Sequence, residues 1–260
     1  MRWEELSWPQ IETLDKEKVV VIPTGSVEQH GRHLPVFTDT FLVTDIAQRV
    51  AERMGDEIIL LPTLWLGSSN HHRDYPGTLS ISAALYSKVI KGLTMSILQA
   101  KFRRLFFLIG HGGNAIPIAQ ALADLSCESE LANAAWLASA TYWGLADDKI
   151  GVPQGLTQEK LAHSCEFETS MLFFVRPELV AQAKIESATR VIDDEWWNPE
   201  WGGKVSVFKR FNRLTASGAM GLPEKATPEK GRALLDVVIQ EVVRFLRDFA
   251  KWPDASVRKV

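Results

Sequence analysis

The sequence predicts an α/β fold in which a parallel sheet is covered by helices on both faces. Three observations predict it. Residues 18–22 (KVVVI), 58–61 and 105–109 (LFFLI) are short apolar runs, ended by Pro23 and Gly25, by Pro62 and by Gly110. They read as buried strands. Between them, 40–54, 82–101 and 115–125 carry apolar residues at helical spacing. The alternation continues with a strand over 134–140 and a helix over 159–174 closed by Pro177. Strand and helix in turn argue for a parallel sheet.

The other elements follow in order. Residues 191–217, with Trp196, Trp197 and Trp201 beside Asn198 and Pro199, read as an irregular or hairpin excursion that covers a pocket or a subunit interface. Thr227 then suits an N-cap and Pro228 the first helical position, opening a helix to about Trp252. No internal repeat or linker divides residues 1–260, so one domain is expected.

Composition narrows the function classes. The 260 residues are 46% hydrophobic and 23% charged, enough apolar material for a sizeable core. A net charge of −3 with no basic stripe argues against nucleic acid. No apolar run reaches the length of a membrane span. The opening MRWEELSWPQ has acids and no apolar signal region. Two cysteines, Cys127 and Cys165, make no disulfide framework. A cytoplasmic protein acting on a small molecule is the expectation.

All six histidines lie between residues 30 and 163. Glu28 and His30 follow the first strand, and residues two apart in extended chain point to the same side. Asp39 comes at the start of the next helix, where a carboxylate can bridge two cations. Taken singly, Glu28 and Asp39 read more readily as solvated loop charges, and His30 as a satisfied polar residue. His111 ends the 105–109 strand, where ligand sites of open parallel sheets lie. Gly112 and Gly113 after it permit close backbone approach. A phosphate-cradling loop is the competing reading there, although the segment lacks the P-loop lysine. His163 and Glu166 are three apart on the expected 159–174 helix and so share a face. Glu168 lies about 200° from Glu166 around that helix and is expected to face elsewhere. Two histidines and three carboxylates suit two divalent cations, Zn²⁺ or Mn²⁺, with Fe²⁺ also fitting.

The segments TGSVEQHG (24–31), His33-Leu34-Pro35, Thr38-Asp39, GHGGN (110–114) and EFETS (166–170) together resemble the creatininase family. Tyr75-Pro76-Gly77-Thr78 and 218–231 (GAMGLPEKATPEKG) are similar to family segments too. The resemblance implies a three-layer, flavodoxin- or Rossmann-like sandwich with a mostly parallel sheet. It implies a dinuclear centre: Glu28, Asp39 and His111 around one metal, His30, Asp39 and Glu166 around the other. It implies a homo-oligomer, with a hexamer favoured, and hydrolysis of a C–N amide bond by a hydroxide held between the metals. His163 is expected to move the proton and Glu168 to orient its neighbours. Gly112, Gly113, Tyr75 and Trp143 are expected to meet substrate, with Trp65 and the 196–201 tryptophans in the pocket wall. His71 and His72 are expected in a nearby loop, touching substrate, a subunit or only solvent. His33 is expected to pack its loop.

The departures from creatininase proper bear on the substrate. Gly112 and Gly113 stand where it has Tyr and a metal-binding Glu, and Glu166 is expected to supply the missing carboxylate. Glu159 and Lys160 stand where it has Trp and Asp. Ser164 and Cys165 replace the Ala-Gly of many relatives. A small cyclic amide or formamide other than creatinine is therefore expected. A peptidase or formamide deformylase, or a non-catalytic metal-binding relative, are the alternatives. A phosphoesterase would need more cations than Arg32 and Arg73 near these motifs.

Overall fold

The structure is a computed structural model. It describes residues 1–158, 161–186, 196, 205 and 207–256. Among the described residues, four strands form one parallel sheet: β1 (Val19–Thr24), β2 (Ile58–Leu60), β3 (Arg104–Ile109) and β4 (Trp136–Thr141). Their spatial order is β2-β1-β3-β4, with Thr24 level with Ile109 and Ile109 level with Thr141. The helices in chain order are α1 (Trp8–Thr13), α2 (Thr38–Met54), α3 (Ala83–Gln99), α4 (Ala115–Glu128), α5 (Glu130–Asn133), α6 (Glu166–Val175) and α7 (Pro228–Phe249).

β1, β2 and β3 are buried on both faces, which is why they read as continuous apolar runs, while β4 at the edge is half-buried. Val19, Val21, Phe106 and Leu108 point into a core closed by α2, α6 and α7. Val20, Ile22, Leu105 and Phe107 point into a second core closed by α3 and α4. This is the expected three-layer sandwich. Among the described residues no helix is long and apolar enough to cross a membrane.

Two expectations change. The helix expected over 159–174 begins only at Glu166. Ser164, at φ +54, has a left-handed backbone that no right-handed helix passes through. Residues 161–165 are therefore an approach to α6 and not its first turn, and residues 159 and 160 lie outside the described ones. The 191–217 excursion is described only at Trp196, Val205 and from Val207, where it forms a single short turn at Phe211–Arg213. Trp197 and Trp201 lie outside the described residues.

At the carboxyl ends of β1 and β3, close packing brings the loops together. Gly25 lies against α2 so tightly that a Cβ there would sit 2.7 Å from the Thr40 Cα. Thr40 Oγ1 donates to the Ser26 carbonyl at 2.8 Å. Asn114, fully buried, donates to the Gly25 carbonyl and accepts from the Ser68 N–H, both at 2.9 Å. One amide thus ties the ends of β1 and β3 to the loop after β2. Thr227 caps α7 by accepting from the Lys230 N–H. A Cβ on Gly231 would lie 1.9 Å from the Ser170 carbonyl oxygen, so α6 and α7 touch backbone to backbone.

Gly231→Ala is expected to force these helices apart at a cost of about 1–3 kcal/mol. Chemical denaturation of the variant beside the wild type checks this.

Candidate metal centre

Glu28, His30, Asp39 and His111 meet above the carboxyl ends of β1 and β3, all essentially buried. His111 Nδ1 lies 3.1 Å from Glu28 Oε2 and 3.2 Å from Asp39 Oδ2. His30 Nε2 lies 3.1 Å from Asp39 Oδ1 and 3.8 Å from Glu168 Oε1. Asp39, in the first turn of α2, therefore turns one oxygen toward each histidine.

The protons on these rings follow from their other nitrogens. His30 Nδ1 is 3.2 Å from the Glu28 carbonyl, and His111 Nε2 is 3.1 Å from the Ser68 carbonyl. A carbonyl only accepts, so both of those nitrogens carry the hydrogen. In the neutral rings, His30 Nε2 and His111 Nδ1 then turn lone pairs toward carboxylate oxygens. That contact is repulsive unless a cation lies between. His30 Nε2 and Asp39 Oδ2 are also buried without a hydrogen-bond partner. Metal-binding histidines characteristically donate their second N–H to a carbonyl or carboxylate. The donor set fits a borderline divalent cation in chemistry as well as in place.

Without a metal, protons take that role. Burial alone would push His111 down, but Glu28 and Asp39 outweigh it and hold it up to about 10. His30 is likewise raised, with Asp39 and Glu168 overcoming burial. Burial would raise Asp39, yet His30 and His111 hold it below the usual carboxylate range.

Glu166 does not reach the cluster. Its carboxylate, fully buried, accepts from Lys230 Nζ at 2.6 Å and from the N–H groups of Thr157 and Gln158 at 2.8 and 2.9 Å. Glu168 comes to His30 instead, and its Oε2 accepts from the Ser164 N–H at 2.5 Å. The two glutamates do point to opposite sides of α6. His163 misidentified the facing side, because it precedes the helix and marks no helical face.

His163 stands beside the cluster, with Nδ1 3.7 Å from Glu28 Oε1 and Nε2 2.8 Å from the Gln29 carbonyl. Burial and the nearby His30 charge push it well below the usual histidine range, so it is neutral. His72, buried, approaches Glu28 Oε1 at 3.4 Å, and the His71 ring stacks on His111 at 5.6 Å. Neither is a surface residue. The crowding of six histidines into 134 residues was the available signal for them. His33 packs behind, its Nε2 2.9 Å from Thr169 Oγ1.

These groups open into a cavity of about 810 Å³. Gly112, Gly113 and Trp143 line it, together with Ile116, Phe208 and Phe211. A Cβ on Gly113 would lie 2.4 Å from both His111 Nε2 and the Ser68 carbonyl, so no side chain fits there. Tyr75 and Trp65 are not among the lining residues. Tyr75 spends its hydroxyl on the Thr215 carbonyl at 2.8 Å, tying two loops together, and Trp65 is half-exposed. Trp196, expected in the wall, is not among the lining residues either; Val207, Phe208 and Phe211 of the same excursion are.

Comparison with known proteins agrees with this architecture. The family model for creatininase (creatinine amidohydrolase) matches residues 4–246. Creatinine amidohydrolase of Pseudomonas putida is 27% identical over 260 aligned residues, covering 94% of this chain and 95% of that protein. A mycofactocin precursor peptide peptidase of Mycolicibacterium smegmatis is 32% identical over 221 residues, covering 83% and 79%. A creatininase crystal structure superposes with a TM-score of 0.79 at 26% identity, covering 97% and 98%. Solved creatininases include a zinc–zinc type of a variant (TM-score 0.77, 26% identity, 95% and 97% covered) and a manganese form (0.75, 25%, 95% and 97%). With the family model matched along nearly the whole chain, the protein belongs to the creatininase family.

Proposed function

We propose that this protein is a hydrolase that cleaves a C–N amide bond of a small substrate with two divalent cations, zinc or manganese. One observation carries the reading. Asp39 turns one oxygen to each of two histidine nitrogens whose other nitrogens are held by carbonyls. One cation would be held by Glu28, Asp39 and His111, the other by His30, Asp39 and Glu168. Glu168 thus takes the position expected of Glu166. Such cations, when bound, supply a nucleophile from water near neutral pH and polarise the amide carbonyl.

The chain's own groups do the rest. His163, neutral and with Nδ1 toward the cluster, moves a proton between the attacking water and the leaving nitrogen. Trp143, Ile116 and Phe208 form an apolar wall that orients the substrate and limits water. Gly112 leaves the space beside His111 open to the carbonyl. The missing space at Gly113 supports a substrate other than creatinine, because the glutamate that creatininase carries there has no room. A cavity of about 810 Å³ holds a drug-sized molecule. That volume favours a second reading within the same chemistry, a peptide amide, as in the peptidase relatives.

For assembly we propose a homo-oligomer, supported by the exposed Leu79, Leu85 and Val89. Size-exclusion chromatography with light scattering tests it.

Metal analysis beside a screen of cyclic amides, formamides and dipeptides tests the activity. His111→Ala is expected to lose metal and all amide hydrolysis; a variant with both metals and full activity would refute the proposal. Glu168→Gln should lose one metal. Glu166→Gln should keep both and instead lose about 3 kcal/mol of stability, from breaking a buried ion pair with a partly exposed lysine. The reverse pattern would return Glu166 to the ligand set.

The raised histidines set a pH dependence. A histidine lifted from 6.5 to about 10 stabilises the metal-free fold fully below pH 6.5 and loses that contribution as pH rises through 10. The melting temperature of metal-free protein is expected to fall from pH 7 to 10. Zinc binding at pH 7 should release protons, seen as a calorimetric heat that varies with the buffer's ionisation enthalpy.

A further inference from the structure

Gln29 lies between Glu28 and His30, and its amide is buried among groups whose donor and acceptor roles are fixed. The Gly31 N–H is 2.9 Å from Gln29 Oε1 and can only donate, so the oxygen faces it. The amide nitrogen then faces the Gly218 carbonyl at 3.0 Å, which can only accept. A flipped amide would oppose like with like at both ends. The second hydrogen of that nitrogen points to His72 Nδ1, 2.8 Å away. His72 Nδ1 is therefore an acceptor, and the ring carries its hydrogen on Nε2, the atom 3.4 Å from Glu28 Oε1.

The main chain of the same residue fixes the second ring. His163 Nε2 is 2.8 Å from the Gln29 carbonyl and must donate to it. Its 3.1 Å approach to the Gln29 amide nitrogen is then one N–H beside another, with no hydrogen bond. The bare nitrogen of His163 is Nδ1, on the side of the cluster. Gly218 is part of the cradle: at φ +87, a Cβ on it would lie 2.0 Å from Gln29 Oε1.

We propose that Gln29 is the positioning residue of the site: its side chain sets His72 as an N–H donor to Glu28, and its carbonyl holds His163 with Nδ1 free toward the reacting atoms. The consequence for metal binding and proton transfer rests on the function proposed above; the tautomers themselves do not.

Histidine-¹⁵N-labelled, metal-free full chain gives the test, through long-range ¹H–¹⁵N correlations assigned with single histidine variants. His72 and His163 are both expected as Nε2–H tautomers. Gln29→Glu puts an acceptor opposite His72 Nδ1 and should move the His72 proton to Nδ1, while His163, held by a carbonyl, keeps its form. Zinc affinity should fall about 10–100-fold, the usual effect of losing a partner that orients a ligand. A wild-type His72 protonated at Nδ1 overturns the proposal, as does a folded Gln29→Glu protein with His72 unchanged. Should that variant not fold, Gln29→Met decides: a mixture of His72 tautomers is expected, and a single unchanged Nε2–H form overturns it. Tautomers as expected with unaltered zinc affinity would refute the link through His72 to Glu28 and leave the amidohydrolase reading standing.

Discussion

Three carboxylates, Glu28, Asp39 and Glu168, share one buried space with His30 and His111, and their charge must be compensated there. Burial makes both charge and counter-charge costly, so the groups are held where each offsets the other. Much of the architecture serves that balance. Parallel strands deliver Glu28 and His111 to the same end of the sheet. The first turn of α2 delivers Asp39, where the helix N-terminus favours an anion without neutralising it. The left-handed residue at Ser164 ends the approach to α6 and aims its own N–H at Glu168.

A second buried charge has the opposite character. Glu166 is matched by Lys230 and two main-chain N–H groups, so both its oxygens are hydrogen-bonded inside the protein. It locks α7 and the loop around Gln158 onto the start of α6. The cluster around Asp39 leaves His30 Nε2 and Asp39 Oδ2 without a hydrogen bond, whereas both oxygens of Glu166 have partners. That difference in satisfaction, more than proximity, separates a centre that binds from a joint that holds.

The layers, the four strands and the meeting of Glu28, His30, Asp39 and His111 beyond the strand ends were legible in the sequence, because each rests on local rules. Apolar runs ended by Pro and Gly mark buried parallel strands, and a histidine at a strand end is placed by topology. Glu166 and Glu168 were not separable in this way. Their assignment depended on where α6 begins, and one residue with positive φ moved that boundary by seven positions. His71 and His72 were expected in a nearby loop without their partners, and Gln29 was missed, because the contacts that join Gln29 to His72 and His72 to Glu28 span more than 40 residues of the chain. Tyr75 was expected near substrate, but a hydroxyl that closes a loop contact looks the same in sequence as one that faces a ligand.

His30, His111 and His163 are each oriented by a main-chain carbonyl, of Glu28, Ser68 and Gln29 respectively. No amino-acid replacement deletes a carbonyl; only a shift of the backbone can. The ring orientations are thus insulated from ordinary drift, while the cavity wall at Trp143, Ile116 and Phe208 is free to change. A lineage built this way can remodel its cavity wall and keep the geometry of its strand-end cluster.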